Sequence, residues 1–445
     1  RDYKVTGVQT CALPIFMSWL SSCYVPYFVA LGTLLLPISV QAQSITPADS
    51  ATSIQQTGTQ YQIDGGNLSG DSTTLFHSFD QFGLLTGESA QFNNPATVKA
   101  IVGRIIGGDV SIMDGLLAAN GNANLYLLNP AGLFFGENTQ LNLGGSFSAS
   151  TATGLNFGSE LLDTLGSNDY GLLTGAPTGY VFSTETGALI NAGDLAVTSG
   201  QSLSLLGGQV MNTGQLAAPG GDVLVMAVPG ENRVRLSQSG SILGLELETL
   251  PNAVPTSAFT AATVPALLTG ASDLGMATNI TINPDGTVSL SGSSLQIPVD
   301  PGTAVVNGQL EADGGNIGIF GEQLALVEAT VDASGDAGGG TVLIGGDELG
   351  NGTVPNALAT IIDENSVIQA NARDTGNGGK IVAWGTNLLR SAGQLFARGG
   401  TNGGDGGFIE TSSLGVLEVG TAPDLSAVGG ARSEEHTSEL QSPCN

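Results

Sequence analysis

The feature that most constrains the fold of this chain is a recurring unit of a short strand, a Gly-rich turn and a second, alternating strand. Residues 214–218 (GQLAA) lead into 220–223 (GGDV), and residues 308–312 (GQLEA) lead into 314–317 (GGNI) in the same way. Three looser copies lie at 331–342, 368–381 and 393–409. The later Gly-Gly turns are about 25, 39 and 28 residues apart, which is in the range of a solenoid with turns of variable length.

The rest of the chain also predicts short strands, because apolar residues alternate and a helical period of 3.6 is almost absent. The clearest runs are 124–128, 140–143, 222–226, 279–282 and 341–344. Gly-Gly, Asn-Gly, Asp-Gly, Ser-Gly and Asn-Pro pairs between the runs supply the positive or fixed φ of tight turns. We therefore predict an all-β parallel β-helix, capped by residues 44–60. An antiparallel sandwich is the alternative, but the 5% aromatic content favours a thin core.

Both ends of the chain differ sharply in composition from the Gly-rich stretch between them. Residues 5–15 read VTGVQTCALPI, and residues 432–442 read RSEEHTSELQS. One piece of DNA, read in frame on its two strands, encodes both peptides, and that piece resembles a sequencing-library adapter. We therefore predict that residues 1–16 and 432–445 are translated adapter and not part of the fold.

Residues 17–42 (MSWLSSCYVPYFVALGTLLLPISVQA) predict a secretory signal peptide, because they are apolar, uncharged and end in small residues. The pattern places cleavage between Ala42 and Gln43. A membrane anchor is the weaker alternative, since the apolar run is shorter than the roughly 20 residues of a membrane span. Cleavage would also remove Cys23, so the mature chain would risk no wrong disulfide in an oxidising compartment.

The stretch between the ends divides into two strand-rich blocks. Residues 250–273, which are rich in Pro, Ala and Thr, separate them. Because Gly-Gly coils resume afterwards, we expect an excursion from the solenoid, either a loop or a short helix near Ala266, with a flexible linker as the alternative. The predicted domains are therefore residues 43–249, this excursion or linker, and further coils over 274–431.

Charge excludes several classes of function. The chain has 11 Lys and Arg against 39 Asp and Glu, a net charge of −28. Nucleic-acid binding needs basic side chains that replace the counterions of phosphates, so no nucleic-acid partner is expected. Anionic lipid surfaces are disfavoured for the same reason. With 41% hydrophobic residues, the chain is nevertheless expected to fold, and we expect a monomer.

Side chains that carry chemistry are scarce. Between the two ends, His77 is the single histidine and Cys23 the single cysteine, so we expect no catalytic residues, no cofactor and no zinc-type metal site. His77 lies in an aromatic run (LFHSF) and is predicted to be a packed structural histidine. Neither the EF-hand nor the RTX spacing for calcium is present, and we assign no metal.

The tightest charged cluster consists of Glu231, Arg233, Arg235, Glu246 and Glu248. Strand alternation places these charges on one face and aliphatic residues on the other. We predict an outward ladder of ion pairs between neighbouring coils. Enzymes that act on acidic polysaccharides also use β-helices, but they would need a groove lined with acidic and basic groups, whereas the basic residues here are spread along the chain.

Residues 92–151 carry the most distinctive motifs. They include NPAT beginning at Asn94 and NPAGL beginning at Asn129, the latter followed by Phe135 and Gly136. From about 44 to 235 the chain resembles the haemagglutination activity domain, also called the filamentous haemagglutinin N-terminal domain, of two-partner secretion exoproteins. Alanine replaces the family's usual asparagine in both motifs, while the Pro and Gly that set the bends are retained.

The resemblance implies a right-handed parallel β-helix that reaches the periplasm of a Gram-negative-type envelope and is then secreted or displayed at the cell surface. The implied partner is an outer-membrane barrel transporter whose periplasmic POTRA modules bind the domain. The implied secretion-motif residues are Asn94, Pro95, Asn129, Pro130, Gly132 and Gly136. Turn chemistry is their favoured direct role.

Two classes of function follow. The favoured one is a non-enzymatic secreted exoprotein, an adhesin, whose ligand would lie on a host cell or another surface. The alternative is a secreted β-helical enzyme that acts on polysaccharides, or a carrier of a toxin module C-terminal to this sequence.

Overall fold

The computed structural model describes residues 44–236, 245–249, 263, 280–282, 288–290, 296–297, 300–431 and 436–439. The predicted first adapter segment, the signal peptide with its cleavage site, most of 432–445 and all of 250–273 except Thr263 lie outside the described residues. Within the described ranges, no helix has the length and apolar character needed to cross a membrane. A single 3-10 turn, Glu348–Gly350, is the helical element among these residues.

The described chain is a parallel β-helix in which a typical coil contributes one strand to each of three sheets, here called sheets I, II and III. Sheet I contains Thr46–Pro47, Asn67–Leu68, Thr74–Gln81, Ala100–Ile105, Asn124–Leu128, Phe147–Ser150, Leu203–Gly207, Asp222–Ala227, Asn316–Phe320, Thr341–Ile344, Lys380–Gly385, Phe408–Ser413 and His436–Glu439. Sheet II contains Ser111–Met113, Leu133–Phe135, Ala188–Asn191, Gln209–Asn212, Thr303–Val306, Gln323–Leu326, Ala359–Ile362, Leu388–Ser391 and Val416–Val419. Sheet III contains Thr52–Thr57, Gln60–Gly65, Ser89–Phe92, Leu116–Ala119, Gln140–Asn142, Asp194–Ala196, Gln215–Ala217, Gln309–Glu311, Thr330–Asp332, Val367–Gln369 and Gln394–Phe396. The predicted parallel β-helix is confirmed, and the sandwich alternative is wrong.

The repeated units of the sequence are stacked neighbours in space. Gln215 pairs with Gln309 and Leu216 with Leu310, in the register in which the two GQL segments align. The same inward column continues through Val331, Ile368 and Leu395, all buried. Aliphatic side chains therefore pile on their equivalents from coil to coil, and they form the long core of the solenoid.

The second glycine of each Gly-Gly pair is required by the stacking of the coils. A Cβ atom at Gly315 would overlap the carbonyl oxygen of Gly221, and a Cβ atom at Gly340 would overlap that of Gly315. These three residues do not have positive φ, whereas the first glycines Gly220 and Gly314 do, at +67° and +83°. The prediction that these glycines supply positive φ in turns is thus correct for the first glycine of some pairs. The second glycine is explained by the close approach of the backbones of neighbouring coils.

The N-terminal edge of the solenoid is closed by antiparallel pairing. Thr52–Thr57 forms a hairpin with Gln60–Gly65, which is the first strand of sheet III to pair in parallel. Thr46–Pro47 pairs antiparallel with Thr74–Gln81 of sheet I. Both pairs cover backbone groups that would otherwise be open to a further strand, so residues 44–60 act as the predicted cap.

A five-stranded antiparallel sheet, which the sequence did not lead us to expect, packs on the outer face of sheet I. Its strands are Gly154–Phe157, Glu160–Asp163, Gly179–Val181, Asn232–Leu236 and Leu245–Thr249. The chain leaves the solenoid twice to build it, after Phe147–Ser150 and after Asp222–Ala227. A second hydrophobic core fills the interface and contains Phe76, Leu128, Leu155, Phe157, Tyr180, Leu206, Met226 and Val234.

The charged cluster lies on this sheet, and the prediction of its neighbours was wrong. Arg233 pairs with Glu248 at 3.5 Å, and Arg235 pairs with Glu246 at 3.7 Å and with Glu248 at 3.1 Å. The ladder thus joins the antiparallel strands of a hairpin and not successive coils. The predicted alternation of charged and aliphatic faces is confirmed, because Val234 is buried on the opposite face.

The solenoid is continuous across the region that separates the two strand-rich blocks. Val210 before it pairs with Ala304 after it, and Val223 pairs with Ile317. The predicted strand at 279–282 exists as Ile280–Ile282, but it pairs antiparallel with Val288–Leu290, outside the three sheets. The segment near Ala266 lies outside the described residues.

At the other end, His436–Glu439 pairs in parallel with Glu410–Ser413 of sheet I. Any extended segment provides this backbone pairing at an unpaired edge. The adapter origin of residues 432–445 therefore stays a prediction about the nucleotide sequence.

Candidate secretion-motif site in the first coils

Asn129 forms the corner between sheets I and II, directly after Asn124–Leu128. Its side chain is 1% exposed. The amide nitrogen donates to the carbonyl oxygen of Asp109 and to Ser111 Oγ, both at 2.9 Å, and Oδ1 accepts from the Ala131 backbone nitrogen at 3.0 Å. The side chain therefore satisfies its buried polar groups by bracing the preceding coil and its own turn at once.

The rest of the second motif completes this turn. The Gly132 amide donates to the Asn129 carbonyl oxygen at 3.1 Å, and Gly132 has φ +141°, a conformation that side chains rarely adopt. The Pro130 carbonyl oxygen accepts from the Gly187 amide of the following coil at 3.0 Å. Ala131, where the family usually has asparagine, is buried. The motif is thus a coil corner that bonds to the coils before and after it.

Gly136 occupies the next corner, between sheets II and III. Its amide donates to the Met113 carbonyl oxygen at 2.6 Å, and its carbonyl oxygen accepts from the Thr139 amide at 2.9 Å. A Cβ atom at Gly193 of the next coil would overlap that same oxygen. Gly136 therefore lies at a point where three successive coils are in close register.

Asn94 and Pro95 lie one coil earlier, after Ser89–Phe92 of sheet III. Asn94 is 8% exposed, and its Oδ1 accepts from the Asn120 amide at 3.1 Å. The Pro95 carbonyl oxygen accepts from the Val98 amide at 3.0 Å. The first motif thus lies on a different corner of the solenoid from the second, and the structure does not bring the two together into one surface site.

Arg104, to which no sequence motif points, lies on the outer face of sheet I and is 7% exposed. Its Nη1 donates to the carbonyl oxygen of Gly166 at 2.6 Å and to those of Asp163 and Thr164 at 3.2 Å. Nε donates to Ser78 Oγ at 3.0 Å. A buried guanidinium with backbone partners gives no sequence signal, because its partners lie about 60 residues away.

His77 is packed inside the first coils, as predicted for a structural histidine. Its ring centroid lies 5.7 Å from that of Phe92 and 6.1 Å from that of Phe79. Neither ring nitrogen has a hydrogen-bond partner among the described residues. Burial lowers the pKa of His77 to about 4, although the charges of Asp49 and Asp64 oppose the shift. The imidazole is therefore neutral at neutral pH.

Across the described ranges, no group of three or more His, Cys, Asp or Glu residues could hold a metal ion.

The coils that contain both motifs are similar to a known family of domains. Residues 39–252 match the model of the TPS secretion domain family. Two solved structures are similar: the HMW1 secretion domain from Haemophilus influenzae (21% identity, 86% of this chain and 99% of that chain covered, TM-score 0.44) and the filamentous hemagglutinin secretion domain (12% identity, 89% and 100% covered, TM-score 0.38). No curated protein matches the chain. TPS secretion domains belong to exoproteins that a partner transporter exports across a Gram-negative outer membrane. Residues 39–252 are therefore a two-partner secretion domain.

Proposed function

We propose that residues 43–249 are the export signal of a secreted adhesin, which a partner outer-membrane transporter recognises through its periplasmic POTRA modules. The observation that carries the proposal is that the TPS family match, 39–252, spans the capped first coils together with the whole antiparallel sheet. In this proposal, signal peptidase cleaves between Ala42 and Gln43. Residues 250–273 are an excursion, and 274–431 are further coils.

The physical properties of the chain suit threading through a barrel followed by folding outside. A net charge of −28 keeps an unfolded chain soluble and apart from its neighbours. Residues 44–431 contain no cysteine, so no disulfide can lock a periplasmic fold. Once the cap and first coil have formed, each further coil adds parallel pairing to an existing edge, and that gain disfavours return.

In this proposal, the burial of the motif residues limits when a transporter can contact them. Asn129 and Ala131 are buried in the folded solenoid, so a transporter can touch them only while the chain is extended. Their direct role in the folded state is turn formation, as it is for Pro130 and Gly132. Asn94, Pro95 and Gly136 are assigned the same role at the neighbouring corners.

The test is secretion of the full chain into the medium of cells with and without the cognate barrel. Release that depends on the barrel is expected. Asn129→Ala is compared with Asn191→Ala, because Asn191 is an equally buried corner asparagine outside the motifs and makes equivalent hydrogen bonds to Gly193 and Asn212. Equal release without the barrel would contradict the export role.

The matched pair separates recognition from folding. If Asn129 acts through its turn alone, the two variants lose secretion in proportion to their loss of folding stability. A larger export defect for Asn129→Ala at equal stability would instead assign recognition of the extended chain to this side chain. The adhesin part is tested separately, by binding of the secreted protein to host cells.

A further inference from the structure

A polar cleft of about 390 Å³ lies between the outer face of sheet I and the antiparallel sheet, a size typical of small-molecule sites. Its floor is made by outward side chains of successive coils, among them Tyr126, Ser202, Ser204 and Asp222. Gln201, on the turn before Leu203–Gly207, forms one rim. None of the residues of the second Asn-Pro motif lines the cleft.

Three polar groups of the cleft keep unused hydrogen-bonding capacity. Asp222 Oδ1 accepts from Asn316 Nδ2 at 2.8 Å, which leaves Oδ2 available. Gln201 Oε1 accepts from Ser146 Oγ at 3.2 Å, which leaves its amide nitrogen available. Ser204 Oγ has no hydrogen bond to the described residues. One acceptor and one amide donor, each on a side chain oriented by a hydrogen bond, thus face the same space as one unbonded hydroxyl.

The opposite wall is aromatic and apolar. Tyr180 of the antiparallel sheet is buried, and its hydroxyl lies 2.6 Å from Ser148 Oγ, which locks the ring against sheet I. Leu236 continues this wall, and half-buried Tyr126 offers a ring beside the polar floor. An occupant therefore meets a polar surface on one side and an apolar surface on the other.

Three classes of occupant fit poorly. A peptide strand would need a free sheet edge, but the floor strands are paired on both sides. An anion would meet the Asp222 carboxylate, and no Lys or Arg is among the described residues that line the cleft. A wholly apolar ligand would leave the available amide, hydroxyl and carboxylate groups without hydrogen-bond partners.

We propose that this cleft binds a neutral saccharide. Sugar hydroxyls are both donors and acceptors, so they match Asp222, Gln201 and Ser204, while the C–H face of a pyranose ring packs against Tyr126 or the opposite wall. The inference goes beyond export and supplies a ligand class for the adhesive part of the proposed function. It is tested on purified protein without the transporter, so its failure and a failure of export are distinguishable.

The experiment measures binding of neutral disaccharides based on glucose, galactose, mannose and N-acetylglucosamine to the purified full chain, by saturation-transfer NMR and calorimetry. Ser204→Trp fills the cleft and is expected to lower the affinity at least about tenfold. Asp222→Asn keeps the shape and the acceptor for Asn316, and it is expected to lower the affinity about threefold or more. Asp194→Asn, on the exposed side of sheet III, is the matched control and should bind as the parent does.

Three results would overturn the proposal. The first is that none of the neutral disaccharides binds at millimolar concentration. The second is that Ser204→Trp, with an unchanged circular dichroism spectrum, binds as tightly as the parent, because the sugar would then lie elsewhere. The third is tighter binding of the anionic 3′-sialyllactose than of lactose, which would contradict the neutral class.

Discussion

Arg104 Nη1 donates to the carbonyl oxygen of Gly166 at 2.6 Å, and this contact ties sheet I to a loop of the antiparallel sheet. The same guanidinium lies 5.9 Å from the centroid of the Tyr170 ring. The contacts occur where the chain leaves the solenoid for the first time. Arg104 is thus a clamp that holds a non-solenoidal element on the solenoid.

Replacing Arg104 with Met should lower the free energy of unfolding by about 1–3 kcal/mol, because the buried Thr164 carbonyl oxygen loses its donor and the carbonyl oxygens of Asp163 and Gly166 each lose one of two donors. The measurement is the midpoint of urea unfolding, together with proteolysis of the loop around Gly166. Arg390→Met is the control, since Arg390 and its partner Glu418 are each 60% exposed and the pair should contribute less than about 1 kcal/mol. Equal effects of the two substitutions would contradict the clamp.

Asn191 and Asn212 form a buried rung between adjacent coils, with Nδ2 of Asn191 2.8 Å from Oδ1 of Asn212. Either single change to Ala should lower the free energy of unfolding by about 1–3 kcal/mol, since the partner is left with an unsatisfied buried group. The double variant should lose less than the sum of the two, by about 0.5 kcal/mol or more. Strict additivity in a double-mutant cycle would show that the rung is not coupled.

The lowered pKa of His77 predicts that the folded protein loses stability in mild acid. Its pKa is 6.5 when unfolded and about 4 when folded, so the unfolded state binds the extra proton between these values and stability falls as the pH drops from about 6.5 to 4. The full effect is about 3 kcal/mol, from about 1.4 kcal/mol for each pH unit.

The measurement is the urea midpoint at intervals from pH 7 to pH 4, in the parent and in His77→Leu. The variant should lose most of the slope in this window, whatever its absolute stability. Hydrogen bonds from Ser69 and the Gly175 amide hold the pKa of the Asp71 carboxyl well below the usual range, so the stability that it contributes begins to fall only below about pH 5, and the slope above that pH reports His77. An unchanged slope in His77→Leu would refute the assignment.

Gly340→Ala should be strongly destabilising, by at least about 3 kcal/mol, because the new Cβ would overlap the carbonyl oxygen of Gly315 and push two coils apart. Gly429→Ala is the control, since its Cβ would have only Gly403 Cα nearby, at 3.9 Å, and its φ is not positive. Thermal unfolding measures both. A mild effect at Gly340 would mean that the coils have room to shift.

Much of the solenoid was predictable because its signals are local. The strands at 124–128 and 341–344 lie where the alternation predicted them, and the two GQL segments stack in the register of their alignment. The Asn-Pro motifs were correctly interpreted as turns, but their depth of burial was not predictable. The burial of the motifs depends on coils that follow much later in the chain, such as the one that contains Gly187, whose amide donates to the Pro130 carbonyl oxygen.

The antiparallel sheet could not be predicted in the same way. Gly179 pairs with Arg235, two segments that belong to separate excursions from the solenoid. Alternation of Val234 between Arg233 and Arg235 indicated which face is buried, but it carried no information about the strand opposite.

The amino-acid sequence by itself therefore determined the period, the inward face of each strand and the positions of the turns, because these depend on neighbouring residues and on the conformational limits of Gly and Pro. The tertiary structure alone decided what covers the outer face of sheet I, which backbone oxygens Arg104 binds and where a polar cleft remains open. Those features arise from contacts between segments far apart in the chain, and a pattern within one strand does not specify its distant partner.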